Sequence, residues 1–282
     1  MPELPEVETI RRELIPHLVG RRITAVSVRW PRMVRRPSAD EFVRRLQGRT
    51  VESLSRRGKY LVVGLSGGEF LLLHLKMTGS LLVKPSGAAA DKHTRMVFSL
   101  IDDRSEPSAL HFRDPRKFGS AWLVEDAFAV TGKLGPEPLL ARFTAEALAD
   151  ILRGRRQPIK ALLCDQSRIA GLGNMYADEA LFAARLHPLR PAGTLSPEEI
   201  RRLHRAIRQV LRRGIRDCGA SVSNYCRPDG SPGWAHESFR VAHRGGQPCP
   251  RWRRAYSADF PARTGKLLLP PLPAAIGRII TI

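Results

Sequence analysis

The sequence predicts an α+β protein: a mostly antiparallel β-sandwich carrying an N-terminal helix, followed by a helical half. Three observations predict it. Short runs with strand-like alternation occupy much of 22–124, apolar stripes at helical spacing occupy 144–214, and a break rich in Gly and Pro parts them near 131–138. The corresponding plan is a domain over 1–130, a linker over 131–140, a helical domain over 141–235 and a separate tail over 236–282.

The chain opens Met1-Pro2-Glu3-Leu4-Pro5-Glu6-Val7-Glu8-Thr9-Ile10. Leu4, Val7, Ile10 and, with one slip, Leu14 recur at helical spacing, and Pro5 suits the first turn of a helix. Residues 22–30 then alternate as a strand does, as do 50–54, 60–65 and 69–75, and β-rich runs lie at 95–101 and 119–124. Residues 84–93, rich in Gly, Ala, Ser and Lys without a core pattern, read as a loop. Arg56-Arg57-Gly58-Lys59-Tyr60 reads as a tight turn ahead of a strand, pointing Lys59 out of the sheet edge; a solvated basic turn is the ordinary meaning of such a run. Helical stripes follow at 144–153, 159–164, 176–186 and 197–214. Pro188 and Pro191 separate the last two, and Ser196 stands where an N-cap should, before Pro197-Glu198-Glu199. From 217 onward Gly and Pro return in short runs.

Composition narrows the function. With 47 Lys and Arg against 27 Asp and Glu, the net charge of +20 points to a polyanion, and nucleic acid is the fitting one because no basic amphipathic helix suggests a membrane surface. No run approaches the ~18 apolar residues of a membrane span, so a soluble, cytoplasmic protein is expected. The four cysteines, Cys164, Cys218, Cys226 and Cys249, include no pair two residues apart, so no zinc knuckle is legible, and a cytoplasmic setting argues against disulfides.

Pro2 supplies the candidate chemistry. A small residue behind the initiator methionine favours removal of that methionine, leaving a secondary amine beside Glu3. An α-amino group, with an ordinary pKa of about 7.7–8.0, is partly neutral at physiological pH and is a candidate nucleophile. Spacing alone favours an ordinary N-terminal helix with frayed, solvated ends.

The opening resembles the Pro-Glu-Leu-Pro-Glu-Val-Glu start of the formamidopyrimidine-DNA glycosylases, the Fpg or MutM proteins of the Fpg/Nei family, and similar motifs recur to about Cys249. The resemblance implies a bifunctional glycosylase and AP lyase that removes oxidised purines (8-oxoguanine, formamidopyrimidines) from duplex DNA through a Pro2 Schiff base, with Glu3 handling protons at the sugar and β,δ-elimination following. Its partner would be damaged double-stranded DNA, its state a monomer, its setting bacterial and nucleoid-associated. Arg-Gly-Lys-Tyr around Lys59 resembles the family motif whose lysine touches phosphate and assists elimination. His74-Leu75-Lys76-Met77-Thr78-Gly79 is similar to His-Leu-Gly-Met-(Ser/Thr)-Gly with Lys76 in place of a common glycine, and Asp114-Pro115-Arg116-Lys117-Phe118-Gly119 to Asp-Pro-Arg-Arg-Phe-Gly. By that likeness Met77, Arg116 and Phe118 enter the duplex where the damaged base leaves, an apolar wedge and a guanidinium offsetting the cost of unstacking. His93, behind Lys92, would be a DNA contact. Residues 159–182, with Gly171-Leu172-Gly173-Asn174 between two apolar runs, resemble the helix-two-turn-helix signature; Asn174 and Lys160 would hold phosphates around the lesion, and Arg155 would add a basic contact. Cys164 stands where relatives carry Leu or Met. Residues 217–234 align with the variable loop that closes over the flipped base, so lesion preference is left open. A non-catalytic damage binder and an endonuclease VIII-like glycosylase for oxidised pyrimidines are the competing readings, although that branch commonly opens Pro-Glu-Gly-Pro.

The family's ending, Val-Tyr-Gly-Arg-x-Gly-x-Pro-Cys-x2-Cys and a second Cys-x2-Cys, implies one structural Zn2+. This chain keeps Val241, Arg244, Gly246, Pro248 and Cys249, then continues Pro250-Arg251-Trp252 without another cysteine. One thiolate of four cannot build a tetrahedral site, so no metal is expected for the chain as written and the tail reads as a degenerate zinc-finger hairpin. The family's finger arginine also lacks a secure counterpart; Arg263 is nearby without a fixed register. A single G inserted in the codon after Arg251 would account for the departure, since codons exist for 252–275 whose restored frame completes Cys-x2-Cys-x16-Cys-x2-Cys from Cys249; a genuine zincless hairpin is the alternative.

Overall fold

The N-terminal helix forms where its apolar spacing predicts. A computed structural model describes residues 1–244 and 247. In it α1 (Leu4–Leu18) starts at a capping box between Glu3 and Glu6 and turns Leu4, Val7, Ile10 and Leu14 into the core, each no more than 1% exposed. The strands follow: β1 (Arg22–Val28), the short β2 (Val34–Arg36), then, after α2 (Ala39–Leu46), β3 (Val51–Arg57), β4 (Tyr60–Leu65), β5 (Phe70–His74), β6 (Ser80–Pro85), β7 (Thr94–Ile101), β8 (Pro107–Arg113) and β9 (Ser120–Val124). They make two sheets, ordered β1-β7-β8-β6 and β2-β9-β5-β4-β3, antiparallel throughout except where β2 runs parallel to β9. Met96, Phe98 and Phe112 from one sheet and Leu61, Val63, Leu71 and Leu73 from the other share a single core with α1.

Four elements of the sandwich escape a pattern reading. Ala109, Leu110, His111 and Phe112 of β8 are all buried, so this inner strand shows no alternation. The start of the expected loop at 84–93 belongs to β6, where Lys84 and Pro85 pair with Ala109 and Ser108. β2 is only three residues long, and α2 is short, with Phe42 and Leu46 its only buried residues.

A short α3 (Phe128–Thr131) precedes the helical segment, which contains α4 (Ala145–Leu152), α5 (Ile159–Cys164), α6 (Asn174–Ala184) and α7 (Pro197–Arg216). Ser196 caps α7 as expected: its hydroxyl accepts the Glu199 N–H at 3.3 Å and its own N–H donates to Glu199 at 2.8 Å. The chain divides into two compact units, Met1–Gly135 with Arg212–His236, and Pro136–Leu211 with the residues from Glu237 on. Among the described residues no helix is long and apolar enough to cross a membrane. The finger reading at Gly246, Cys249 and Arg263 lies outside the described residues.

Candidate active site and nucleic-acid interface

The first unit holds Pro2, Glu3, Lys59, Met77, His93, Arg116 and Phe118; the second holds Arg155, Lys160 and Asn174. Pro2 and Glu3 are buried at the mouth of α1, Glu3 only 2% exposed, so the chain start is held rather than frayed. The Glu3 N–H donates to Glu6 Oε2 at 2.8 Å, and the Ala220 N–H donates to Glu6 Oε1 at 2.9 Å. One fully buried carboxylate thereby fixes both the helix start and the loop of residues 217–234. The loop is pinned further by Arg227 on Glu13 at 2.7 Å and by the Tyr225 hydroxyl on the Cys218 carbonyl at 3.0 Å. Gly219 has φ +77°, and a Cβ there would lie 2.9 Å from the Tyr225 ring and 3.0 Å from Glu6 Cγ; only glycine fits.

The β3–β4 turn is tight, as expected, with Arg57 paired to Tyr60 and Gly58 at φ +58°. Lys59, however, is 5% exposed instead of projecting into solvent. The reason lies in its neighbours. Arg56 reaches Glu8 of α1 at 3.1 Å, and Arg57 donates to the carbonyls of Leu134 and Gly135 at 2.8 and 2.7 Å, so the turn is drawn onto the fold. Burial works to raise the Glu8 pKa, but hydrogen bonds from Arg11, Arg12 and Arg56 together with the Arg11 charge outweigh it and carry it down to about 2.

Two loops present the residues expected to enter DNA. At the end of β5 the Lys76 N–H donates to His74 Nδ1 at 2.9 Å, and Lys76 takes φ +55°, a left-handed conformation that a glycine would adopt without strain. Met77 follows, 43% exposed. Asp114, 0% exposed, joins this loop to the next: it accepts from the Thr78 hydroxyl, from the Gly119 N–H at 2.7 Å and from the Arg116 N–H at 3.3 Å. Its own N–H donates to the His93 carbonyl at 2.8 Å, which ties the His93 loop to the same point. At the tip the Arg116 guanidinium stacks 4.6 Å over the Phe118 ring and its Nη1 lies 3.3 Å from Met77 Sδ, so the three expected wedge residues form one exposed cluster.

His74 is 8% exposed, and burial, then the charges of Lys76 and Lys59, lower its pKa to about 3. Its Nδ1 accepts a hydrogen bond, which places the proton of the neutral ring on Nε2. Because the folded pKa lies below the unfolded one, the unfolded chain binds the extra proton; stability is full above about pH 6.5 and is lost as pH falls toward 3. Urea denaturation across that window is expected to show a His74 contribution of up to about 1.4 kcal/mol per pH unit that disappears in His74→Gln. An unchanged acid limb in the variant would refute it.

In the second unit, Lys160 near the start of α5 is paired with Asp178 of α6, Nζ lying 2.8 Å from Oδ1. Asn174 begins α6 and is exposed, with Cys164 Sγ 3.5 Å from its Oδ1. Gln166 clamps the intervening turn, donating to the carbonyls of Cys164 and Leu172 and accepting the Gly171 N–H. The turn thus presents an exposed amide side chain at a helix start, a place suited to an anion. Arg155 is exposed beyond α4, its backbone held by Gly193 at 2.8 Å. Sequence reasoning assigned no role to Glu6, Asp114 or Gln166; their acidic or amide character was visible, but their partners were not.

The donor set does not fit the family's zinc. Beyond 235 the sequence has Cys249 as its one cysteine, and one thiolate cannot supply the four that such a tetrahedral site needs.

The chain matches the family models for the formamidopyrimidine-DNA glycosylase N-terminal domain over residues 1–121 and the formamidopyrimidine-DNA glycosylase H2TH domain over 134–225. It is 48% identical over 254 residues to the formamidopyrimidine-DNA glycosylase of Roseiflexus sp. (strain RS-1), covering 89% of this chain and 92% of the relative. The corresponding protein of Chloroflexus aurantiacus is 47% identical, with 89% and 90% covered. Among solved structures, the MutM (Fpg) protein of Thermus thermophilus superposes with a TM-score of 0.85 at 39% identity, over 95% of this chain and 97% of that one. The wild-type Lactococcus lactis Fpg (MutM), in complex with DNA containing N7-benzyl-Fapy-dG, gives 0.87 at 33% identity over 95% and 98%. Fold, motifs and likeness agree, and the chain belongs to the formamidopyrimidine-DNA glycosylase family.

Proposed function

We propose that this protein is a DNA glycosylase and AP lyase of base excision repair that removes oxidised purines from duplex DNA. The observation that carries the reading is the exposed Met77–Arg116–Phe118 cluster, built on a buried Asp114 in the same unit as the held start of α1. An exposed apolar pair with a guanidinium costs solvation and makes no core; inserted in a duplex it replaces the stacking and pairing of an extruded nucleotide.

After loss of Met1, the Pro2 nitrogen attacks C1′ of the extruded nucleotide and the glycosidic bond breaks, the base leaving with the bonding pair and a proton. Glu3 handles protons at the sugar as the ring opens to an iminium. Loss of a C2′ proton then expels the 3′ phosphate, with Lys59 assisting; a second elimination at C5′ completes the β,δ course where an arginine serves it. His93, Arg155, Lys160 and Asn174 hold the DNA backbone, Lys160 exchanging Asp178 for a phosphate.

Borohydride trapping on a duplex with 8-oxoguanine opposite cytosine tests the proposal. A covalent adduct, absent with undamaged duplex, is expected. Retarded complexes without an adduct, from protein whose mass shows Met1 removed, would leave a damage binder, and an adduct only with thymine glycol would move the substrate to oxidised pyrimidines.

A further inference from the structure

We infer that Trp30 is a positioning residue for the wedge, acting through the ammonium of Lys117; the inference rests on the reading that Arg116 and Phe118 enter the duplex. Trp30 lies between β1 and β2, partly buried and packed against the sandwich core. Lys117 Nζ sits 4.2 Å from the centroid of its ring, and Arg32 occupies the same ring at 5.6 Å. Lys117 is the middle residue of the wedge tip and takes φ +61°, a conformation that an L residue other than Asn, Asp or His seldom adopts.

Asp114 fixes the base of this loop through the N–H groups of Arg116 and Gly119 and the Thr78 hydroxyl. The tip has another need. Arg116, Lys117 and Phe118 are all exposed, and Arg116 and Phe118 stack on each other while the Lys117 side chain goes to Trp30. Trp30 is therefore a core-anchored platform that retains Lys117 in its left-handed conformation and with it the direction of the two flanking wedge residues. A cation over an indole face is strong enough to bias a loop tip severalfold and too weak to hold up the fold. This separates a positioning role from a structural one.

The test uses the full chain and a duplex with 8-oxoguanine opposite cytosine, with 2-aminopurine beside the lesion reporting unstacking by stopped-flow fluorescence, and single-turnover excision alongside. Lys117→Asn keeps a residue at ease with positive φ and removes the cation; Trp30→Leu removes the ring. Each is expected to slow wedge insertion and excision about three- to tenfold. The double variant should be no slower than either single one, because both remove one contact. Lys117→Arg should stay within about twofold.

Affinity for undamaged duplex and its salt dependence should not change. If Lys117→Asn weakens binding to every duplex and lowers the salt slope by about one while Trp30→Leu does not, Lys117 is a direct phosphate contact and the inference falls. It falls also if the single effects multiply, or if insertion is unchanged in Lys117→Asn. Borohydride trapping of the unaltered chain on the same duplex separates the two levels: no adduct overturns the glycosylase reading, whereas an adduct with uncoupled variants overturns only the role of Trp30.

Discussion

Pro2→Gly is expected to cut the yield of the borohydride-trapped adduct about a hundredfold, while affinity for a duplex containing an abasic-site analogue stays within about threefold. Two differences act together. A secondary amine condenses to an iminium that keeps its positive charge at any pH, so the electron sink for elimination is always present. A primary amine gives an imine that must first be protonated. The second difference is placement. The proline ring is buried at the helix start and ties the nitrogen to its own Cα through a closed ring, and the next residue, Glu3, is held by Glu6. Glycine keeps an amine there but lets it wander, and orientation is worth orders of magnitude in such an attack. Binding depends on residues elsewhere, so affinity is the control. Mass spectrometry of the purified protein must show the chain starting at residue 2. Full adduct yield from Pro2→Gly would remove the need for a ring-held secondary amine at residue 2, and full yield from a chain whose N-terminus is acetylated would remove that amine as the nucleophile.

Much of this arrangement is legible in the letters, and the exceptions share a cause. The α1 spacing, the Ser196 cap and the Gly58 turn are local patterns, and the fold reproduces them. Whether a basic turn is solvated or buried is decided by what it meets. Lys59 is buried because Arg56 finds Glu8, 48 residues earlier, and no window of sequence contains that pair. Glu6 is one of three glutamates in an acidic opening, and its distinction is a hydrogen bond from Ala220, 214 residues away. Lys76 shows as a departure from the family motif, yet its consequence, a left-handed lysine beside the buried ring of His74, depends on a backbone angle. Contacts between distant segments were lost to the sequence reading for one reason: charge and hydrogen-bonding capacity are written in the chain, and their partners are set by topology.

Asp114→Ala is the variant in which stability and function are expected to fall together. The carboxylate is completely buried and serves three donors on two loops, Thr78, Arg116 and Gly119. Truncation strands those donors away from water at about 1–3 kcal/mol each, so a loss of roughly 3 kcal/mol or more in urea denaturation is expected, allowing for partial rehydration of the loop. Asp114→Asn keeps the shape and one acceptor but turns an amide toward a donor, and should lose about half as much. The consequence for excision follows from position. Met77 is carried by one loop and Arg116 and Phe118 by the other, and Asp114 is the buried group that joins them, so its loss disperses a wedge whose parts must arrive together. Single-turnover excision of a paired 8-oxoguanine is expected to fall about 10–100-fold in Asp114→Ala at a temperature where the variant remains folded. Strand cleavage at a preformed abasic site, where no base has to be expelled, should fall less than tenfold. Equal losses on the two substrates would mean that Asp114 serves the fold as a whole, since damage to the fold has no means of telling a paired lesion from an abasic one.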